Sequence, residues 1–186
     1  MNRPLLRTAI VIAGLIALAI VVVTLIDARP TQAETAAIAI MKDPSGRTVG
    51  TIRLVETTAG QVVLRGVLTG LPPGQHGIHL HAVGRCDPPA FTSAGAHLNP
   101  DQHRHGLANP AGPHAGDLPN LTVLPDRAGS VDATTGRVTL RSGPAGLLDA
   151  DGSAIVVHAK ADDQVTDPAG ASGPRIACGV ITRGGR

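Results

Sequence analysis

His79 and His81 stand two residues apart in the run "GIHLHAV". Side chains of a strand alternate faces, so imidazoles at this spacing project to the same side. His158 ends a second alternating run, "SAIVVHA". Two histidines from one strand and one from another form a preorganised set of nitrogen donors, a set that suits copper, zinc, iron or nickel. His76 has the opposite parity and sits at a strand entrance, where it reads as a hydrogen-bonding residue that holds a loop.

A second cluster follows. "AHLNPDQHRHG" places His97 and His105 eight residues apart, and "GPHAGDLPN" places His114 and Asp117 three apart. Three histidines and an aspartate satisfy a four-coordinate zinc site. The same residues also fit a solvated, histidine-rich loop that binds metal only loosely. Residues 84–120 are rich in Pro, Gly and His and carry almost no strand pattern. Loops of that length inside a compact domain are uncommon and often functional. This one has little apolar content with which to pin itself.

The elements that must position these residues read as strands. Short apolar or alternating runs lie at 35–42, 49–56, 61–69, 77–83, 136–142, 153–159 and 175–181, with a weaker eighth around Val131. Turn signals separate them, among them Pro44–Ser45–Gly46, Pro72–Pro73–Gly74 and Asp151–Gly152. Many short strands without an amphipathic helix indicate an all-β antiparallel sandwich or barrel. Residues 160–174 form a second long loop.

At 186 residues the chain supports one domain with a core. Arg3 and Arg7 precede an apolar run from Ala9 to Ile26, the pattern of an export signal. The run is also near the length of a spanning helix, so an uncleaved anchor is the second reading and gives residues 9–26 a route to membrane association. "PTQA", ending at Ala33, offers a cleavage site. The expected organisation is a leader or anchor over 1–33 and an exported domain over 34–186.

The chain holds 16 basic and 14 acidic residues, and three arginines and one aspartate fall within the first 33, so 13 of each remain. A domain without net charge and with one aromatic residue, Phe91, lacks both the electrostatic footprint and the stacking platforms of a nucleic-acid binder. Two cysteines in an exported chain suggest one disulfide. A bridge from Cys86 to Cys178 closes a loop of about 90 residues, for which the chain-entropy model gives on the order of 4–5 kcal/mol.

The segments "HGIHLHAVG", "AHLNPDQHRHG", "GPHAGDLPN", "VVHAKADD" and "GPRIACGV" together resemble successive motifs of the copper/zinc superoxide dismutases, in that family's order, from Thr35 to Ile181. The resemblance implies an eight-stranded antiparallel Greek-key barrel with two long functional loops. It implies copper held by His79, His81, His97 and His158, and zinc held by His97, His105, His114 and Asp117, with His97 bridging the two. His103 rivals His105, but the spacing and the following Gly106 match the family at His105. Asp162 takes the place of a carboxylate that bonds one ligand of each metal, here His79 and His105. Cys86 and Cys178 match the family's disulfide, and Arg175 stands where the family has its anion-guiding arginine.

The implied activity is dismutation of superoxide to oxygen and hydrogen peroxide, with Arg175 and His97 as the catalytic residues. Arg175 would orient the anion, and His97 would take up a proton and hand it on. Ile78 and Leu98 replace frequent aromatics, and Ala96 replaces a frequent glycine beside His97. The loop 160–174 offers Lys160 against Asp162, Asp163 and Asp167, so weak electrostatic steering is expected from it. An exported copper-binding protein without turnover is the competing reading, and the complete ligand set with Arg175 argues against it. A homodimer is compatible with the chain, although no surface is marked for pairing.

Overall fold

The computed structural model describes residues 35–184, and the leader or anchor expected over 1–33 lies outside the described residues. Nine strands follow in order: β1 (Thr35–Lys42), β2 (Thr48–Glu56), β3 (Val62–Thr69), β4 (Gly74–His76), β5 (Ile78–His81), β6 (Leu121–Val123), β7 (Ala128–Thr135), β8 (Ala154–His158) and β9 (Arg175–Arg183). All belong to one antiparallel sheet in the order β4-β6-β7-β3-β2-β1-β9-β8-β5. Among the described residues the one helical element is a 3₁₀ turn at Thr92–Ala94.

The strand order shows how the sheet closes. β4 and β5 are separated in the chain only by Gly77, yet they occupy opposite ends of the sheet. A sheet whose two end strands are neighbours in sequence has rolled into a nearly closed barrel, with its edges meeting at one seam. At the seam Gly77 donates its N–H to the Lys160 carbonyl at 2.8 Å and accepts the His158 N–H at 2.8 Å. A Cβ on Gly77 would stand 2.9 Å from Ser172 Cβ and 3.1 Å from His79 Cε1, so the seam needs a residue without a side chain.

Alternation fills the interior. Ala37, Ala39 and Met41 of β1, Ile52 and Leu54 of β2, and Val62, Leu64 and Leu68 of β3 are all fully buried, while Arg53 and Arg65 between them face solvent. Each large aliphatic side chain so buried contributes on the order of 1.5–3 kcal/mol. β8 is buried along its whole length. Ile155 and Val157 join the main core, while Ala154 and Val156 pack on the other side with Phe91, Ala94 and Cys178.

One expected strand is corrected, and a weaker candidate is borne out at greater length. The strand expected at 136–142 is absent; this segment is a series of bends with a single bridge at Thr139. Its alternating Val138 and Leu140 are buried, but the Leu140 N–H goes to Glu56 Oε2 at 2.9 Å rather than to a ladder partner. The weak candidate at Val131 is instead the full strand β7, paired with β3 from Thr69 to Val62. Gly129, Val131, Ala133 and Thr135 of β7 turn inward, and only Val131 of these is a large apolar side chain, so its apolar pattern is faint. The strand count is nine because the run at 136–142 drops out while β4, before Gly77, and the three-residue β6 between β4 and β7 are added.

Candidate metal centre

Cross-strand pairing puts the histidines of β5 and β8 on one face. His79 pairs Val156 and His81 pairs Ala154, while Ile78 and Leu80 pair Val157 and Ile155 of the core. Directly opposed residues share a face, so His79 and His81 point the same way as Ala154, Val156 and His158. That face lies outside the barrel core, and the long loop covers it. Leu80 donates its N–H to the Gly116 carbonyl, Gly116 donates to Leu98, and Leu98 donates to Leu80, each at 2.9 Å. A Cβ on Gly116 would stand 2.2 Å from the Leu80 oxygen, so only glycine allows the loop this close.

Four imidazoles meet beneath the loop. One ring nitrogen from each of His79, His81, His97 and His158 lies within 4.8 Å of the others, and all four residues are buried. His79 Nδ1 and the Nε2 atoms of His81, His97 and His158 are buried nitrogens with no hydrogen-bond partner. Buried polar atoms are ordinarily paired, and four orphans converging on one point fit a bound cation. The remaining ring nitrogens are held. His79 Nε2 lies 2.7 Å from Asp162 Oδ2, His81 Nδ1 lies 2.9 Å from the Gly95 carbonyl, and His158 Nδ1 lies 3.0 Å from the Gly173 carbonyl.

The second set shares a member with the first. His97, His105, His114 and Asp117 offer ligand atoms within 4.8 Å of one another, and all are buried. His97 Nδ1 and His105 Nδ1 each lie 2.9 Å from Asp117 Oδ1, and His114 Nδ1 lies 3.3 Å from His97 Nδ1. Asp117 Oδ2 accepts the backbone N–H groups of Gly106 and His114. Three nitrogens and a carboxylate oxygen suit a tetrahedral zinc. His97 therefore turns Nδ1 toward this set and Nε2 toward the other. His103 is exposed, with its Nδ1 3.2 Å from the Pro113 carbonyl, and does not join either set.

Electrostatics prepare the two sets differently. Burial pushes His79 and His158 down to about 4, and it holds His81 well below the usual histidine range. These imidazoles are neutral at pH 7, with a lone pair ready to bind a cation. Burial opposes the charged form of His105 too, but hydrogen bonds to Asp117 and Asp162 outweigh it and raise that histidine to about 9. The same bonds hold both carboxyls below the ordinary carboxylate range against the pull of burial.

Arg175 opens β9 beside the first set. It donates from Nη1 to the Phe91 carbonyl and from Nη2 to the Gly95 carbonyl, both at 2.6 Å. It lines a cavity of about 420 Å³ together with Pro89, Ala90, Thr92, Gly173 and Pro174. Cys86 and Cys178 are bonded to each other and tie the start of the long loop to β9. His76 holds the seam from inside, with Nδ1 2.7 Å from the His158 carbonyl and Nε2 2.8 Å from the Pro72 carbonyl.

Several contributors carry no signal in the sequence pattern. Asn120 brackets Asp162, accepting its N–H and donating to its carbonyl, each at 2.8 Å. Asp167 accepts the His105 N–H and pairs with Arg104 at 2.7 Å. The Phe91 and Gly95 carbonyls hold Arg175. The two carbonyls are independent of residue type, and the Asn120 and Asp167 side chains each bond a backbone group, so spacing alone does not reveal them.

Comparison with known proteins agrees with this geometry. Residues 48–181 match the family described as copper/zinc superoxide dismutase (SODC). The chain is 44% identical over 148 residues to a superoxide dismutase [Cu-Zn] of Caulobacter vibrioides, covering 78% of this chain and 84% of that protein. It is 42% identical over 138 residues to superoxide dismutase [Cu-Zn] 1 of Aquifex aeolicus, covering 73% and 81%. Among solved structures it resembles a double mutant of a SOD-like protein from Bacillus subtilis, with a TM-score of 0.74 and 40% identity over 77% of this chain and 95% of that one.

Proposed function

The chain belongs to the copper/zinc superoxide dismutase family, and from that premise we propose that it converts superoxide to oxygen and hydrogen peroxide at a copper site that shares His97 with a zinc site. His79, His81, His97 and His158 would hold the copper, and His97, His105, His114 and Asp117 the zinc. The observation that carries this reading is the four orphaned ring nitrogens around one point, one of them on a histidine whose other nitrogen faces Asp117. Copper, when bound, supplies the one-electron change that takes an electron from one superoxide and returns it to another, while zinc keeps a constant charge and holds the loop.

The protein's own groups do the rest. Arg175 attracts the small anion and orients it through charge-assisted N–H donors. His97 Nε2 would take up a proton only when it is not bound to copper, and would then deliver it to the peroxide product, with solvent supplying the second. Asp162 fixes the planes of His79 and His105 at once, because its two oxygens bond one ring each. Residues 1–33 direct the domain out of the cytoplasm, as a cleaved leader or a retained anchor, where the Cys86–Cys178 bridge persists.

The test is metal analysis paired with a dismutase assay on protein matured with both metals. One copper and one zinc per chain with rapid turnover is the expected result. Full copper with reproducibly no zinc would remove the shared-histidine version. His114→Ala should lower zinc retention more than copper retention, and the reverse order contradicts the assignment.

A further inference from the structure

We propose that Phe91 is a positioning residue for Arg175: its buried ring and left-handed backbone hold the carbonyl that sets the aim of the guanidinium. The inference rests on the reading of Arg175 as the anion-binding group.

Phe91 is the single aromatic residue of the chain. It is only 1% exposed, although it lies in a loop rich in proline and glycine. Its backbone has φ 54° and ψ 24°. A bulky non-glycine residue in the left-handed region is an outlier that persists only where its surroundings over-determine it. The surroundings here are visible. The ring packs in a cluster with Ala94 of the loop, Ala154 and Val156 of β8, and Cys178 of β9, and Cys86 packs against that cluster. β8 carries His158, and β9 begins with Arg175. The ring is therefore a wedge that registers the loop against the two strands bearing the site.

The backbone of the same residue faces the chemistry. The Phe91 N–H donates to the Asp87 carbonyl at 3.0 Å, which ties it to the preceding turn. Its carbonyl accepts Arg175 Nη1 at 2.6 Å, while the Gly95 carbonyl accepts Nη2 at 2.6 Å. The Gly95 oxygen also lies 2.9 Å from His81 Nδ1, so one oxygen registers the arginine against a metal-facing imidazole. A guanidinium has five N–H donors in a rigid fork. Two carbonyls fix its plane and leave donors for an anion. Without the ring, the backbone at 91 is free to leave its left-handed conformation, and one of the two anchors turns away.

The test uses protein loaded with copper and zinc, and azide as a small-anion probe followed through the copper visible spectrum. Arg175→Ala should weaken azide binding by about tenfold, and Phe91→Ala by about fivefold, because one of two charge-assisted anchors is lost. The spectrum without azide should not change in either. Phe91→Leu, which keeps apolar bulk, should recover most of the affinity. Phe91→Gly relieves the backbone but lacks the ring, so it should behave like the alanine variant, and it keeps the test readable if alanine does not fold. In an Arg175→Ala background, Phe91→Ala should have no further effect, since coupled residues are not additive. Parental azide affinity in Phe91→Gly or Phe91→Ala, with Arg175→Ala weakened, would overturn the role of Phe91. Additive losses in the double variant would also overturn it. Unchanged azide affinity in Arg175→Ala would instead sink the reading of Arg175 on which the inference stands.

Discussion

Asp162 Oδ2 lies 2.7 Å from His79 Nε2, with both side chains fully buried, across 83 residues of sequence. The other oxygen of the same carboxylate lies 3.0 Å from His105 Nε2. One side chain of the 160–174 loop thus orients an imidazole of each metal-facing set. Asp162→Asn keeps the shape but replaces one oxygen by an N–H group that cannot accept. We expect copper and zinc affinities both to fall, by roughly 10–100-fold, as is typical when a carboxylate behind a ligand is lost. Competition with chelators measures each metal separately. Unchanged affinity for both would show that Asp162 is dispensable for orientation.

How much of this was legible in the sequence differs by kind of residue. The strand histidines that the structure brings together, His79, His81 and His158, were marked by their parity in alternating runs. β1, β2, β3, β8 and β9 were visible for the same reason. β7 was nearly silent, since Ser130 and Asp132 face solvent and only Val131 and the small Ala133 supply apolar side chains within its middle. The run 136–142 misled because Val138 and Leu140 are buried without being in a strand. A pattern of burial reports which side chains go inside, and says nothing of where the backbone N–H groups find partners. Phe91 was hidden for a related reason: its contribution runs through a carbonyl.

The disulfide joins residue 86, at the start of the long loop, to residue 178 in β9. The barrel strands are joined by their own hydrogen-bonded ladder, separate from this bond. Reduction should therefore speed amide exchange in residues 86–120 while β1, β2 and β3 stay protected. Hydrogen exchange read by mass spectrometry on oxidised and reduced protein provides the check. Equal acceleration in the loop and in those strands would mean that the bond supports the whole barrel.

For the metal-free protein the shifted histidines set the pH dependence of stability. Burial holds His79 and His158 at about 4 against an ordinary value of 6.5. Between those values the unfolded chain binds protons that the native state does not, so stability is lost as pH falls from 6.5 toward 4. His105 has the opposite sign. Its value is raised to about 9, so its contribution is complete below 6.5 and is lost as pH rises through 9. Asp117 and Asp162, both lowered, add a further loss below 3.8. The melting temperature of the metal-free protein should peak near pH 6.5 and decline on both sides. A melting temperature that climbs steadily from pH 6.5 to 9 would contradict the assignment of His105.

Superoxide is a small anion, and a metal alone offers it a place to bind but little orientation. Arg175 adds a planar charge at the mouth of the site, half-buried and held by two carbonyls. Its charge is close enough to help depress both His81 and His158, behind the larger effect of burial. Arg175→Ala should leave copper and zinc content nearly intact, because no metal-facing nitrogen depends on the guanidinium. Activity should fall on the order of tenfold or more, about 1.4 kcal/mol of barrier. Arg175→Lys should keep part of the activity, since the charge survives and the fork does not. Added salt should slow the parent more steeply than the alanine variant, because screening removes an attraction that the variant already lacks. Equal rates for parent and alanine variant at low salt and equal copper occupancy would assign the guidance to another cation, or would make this chain a copper-holding relative without fast turnover.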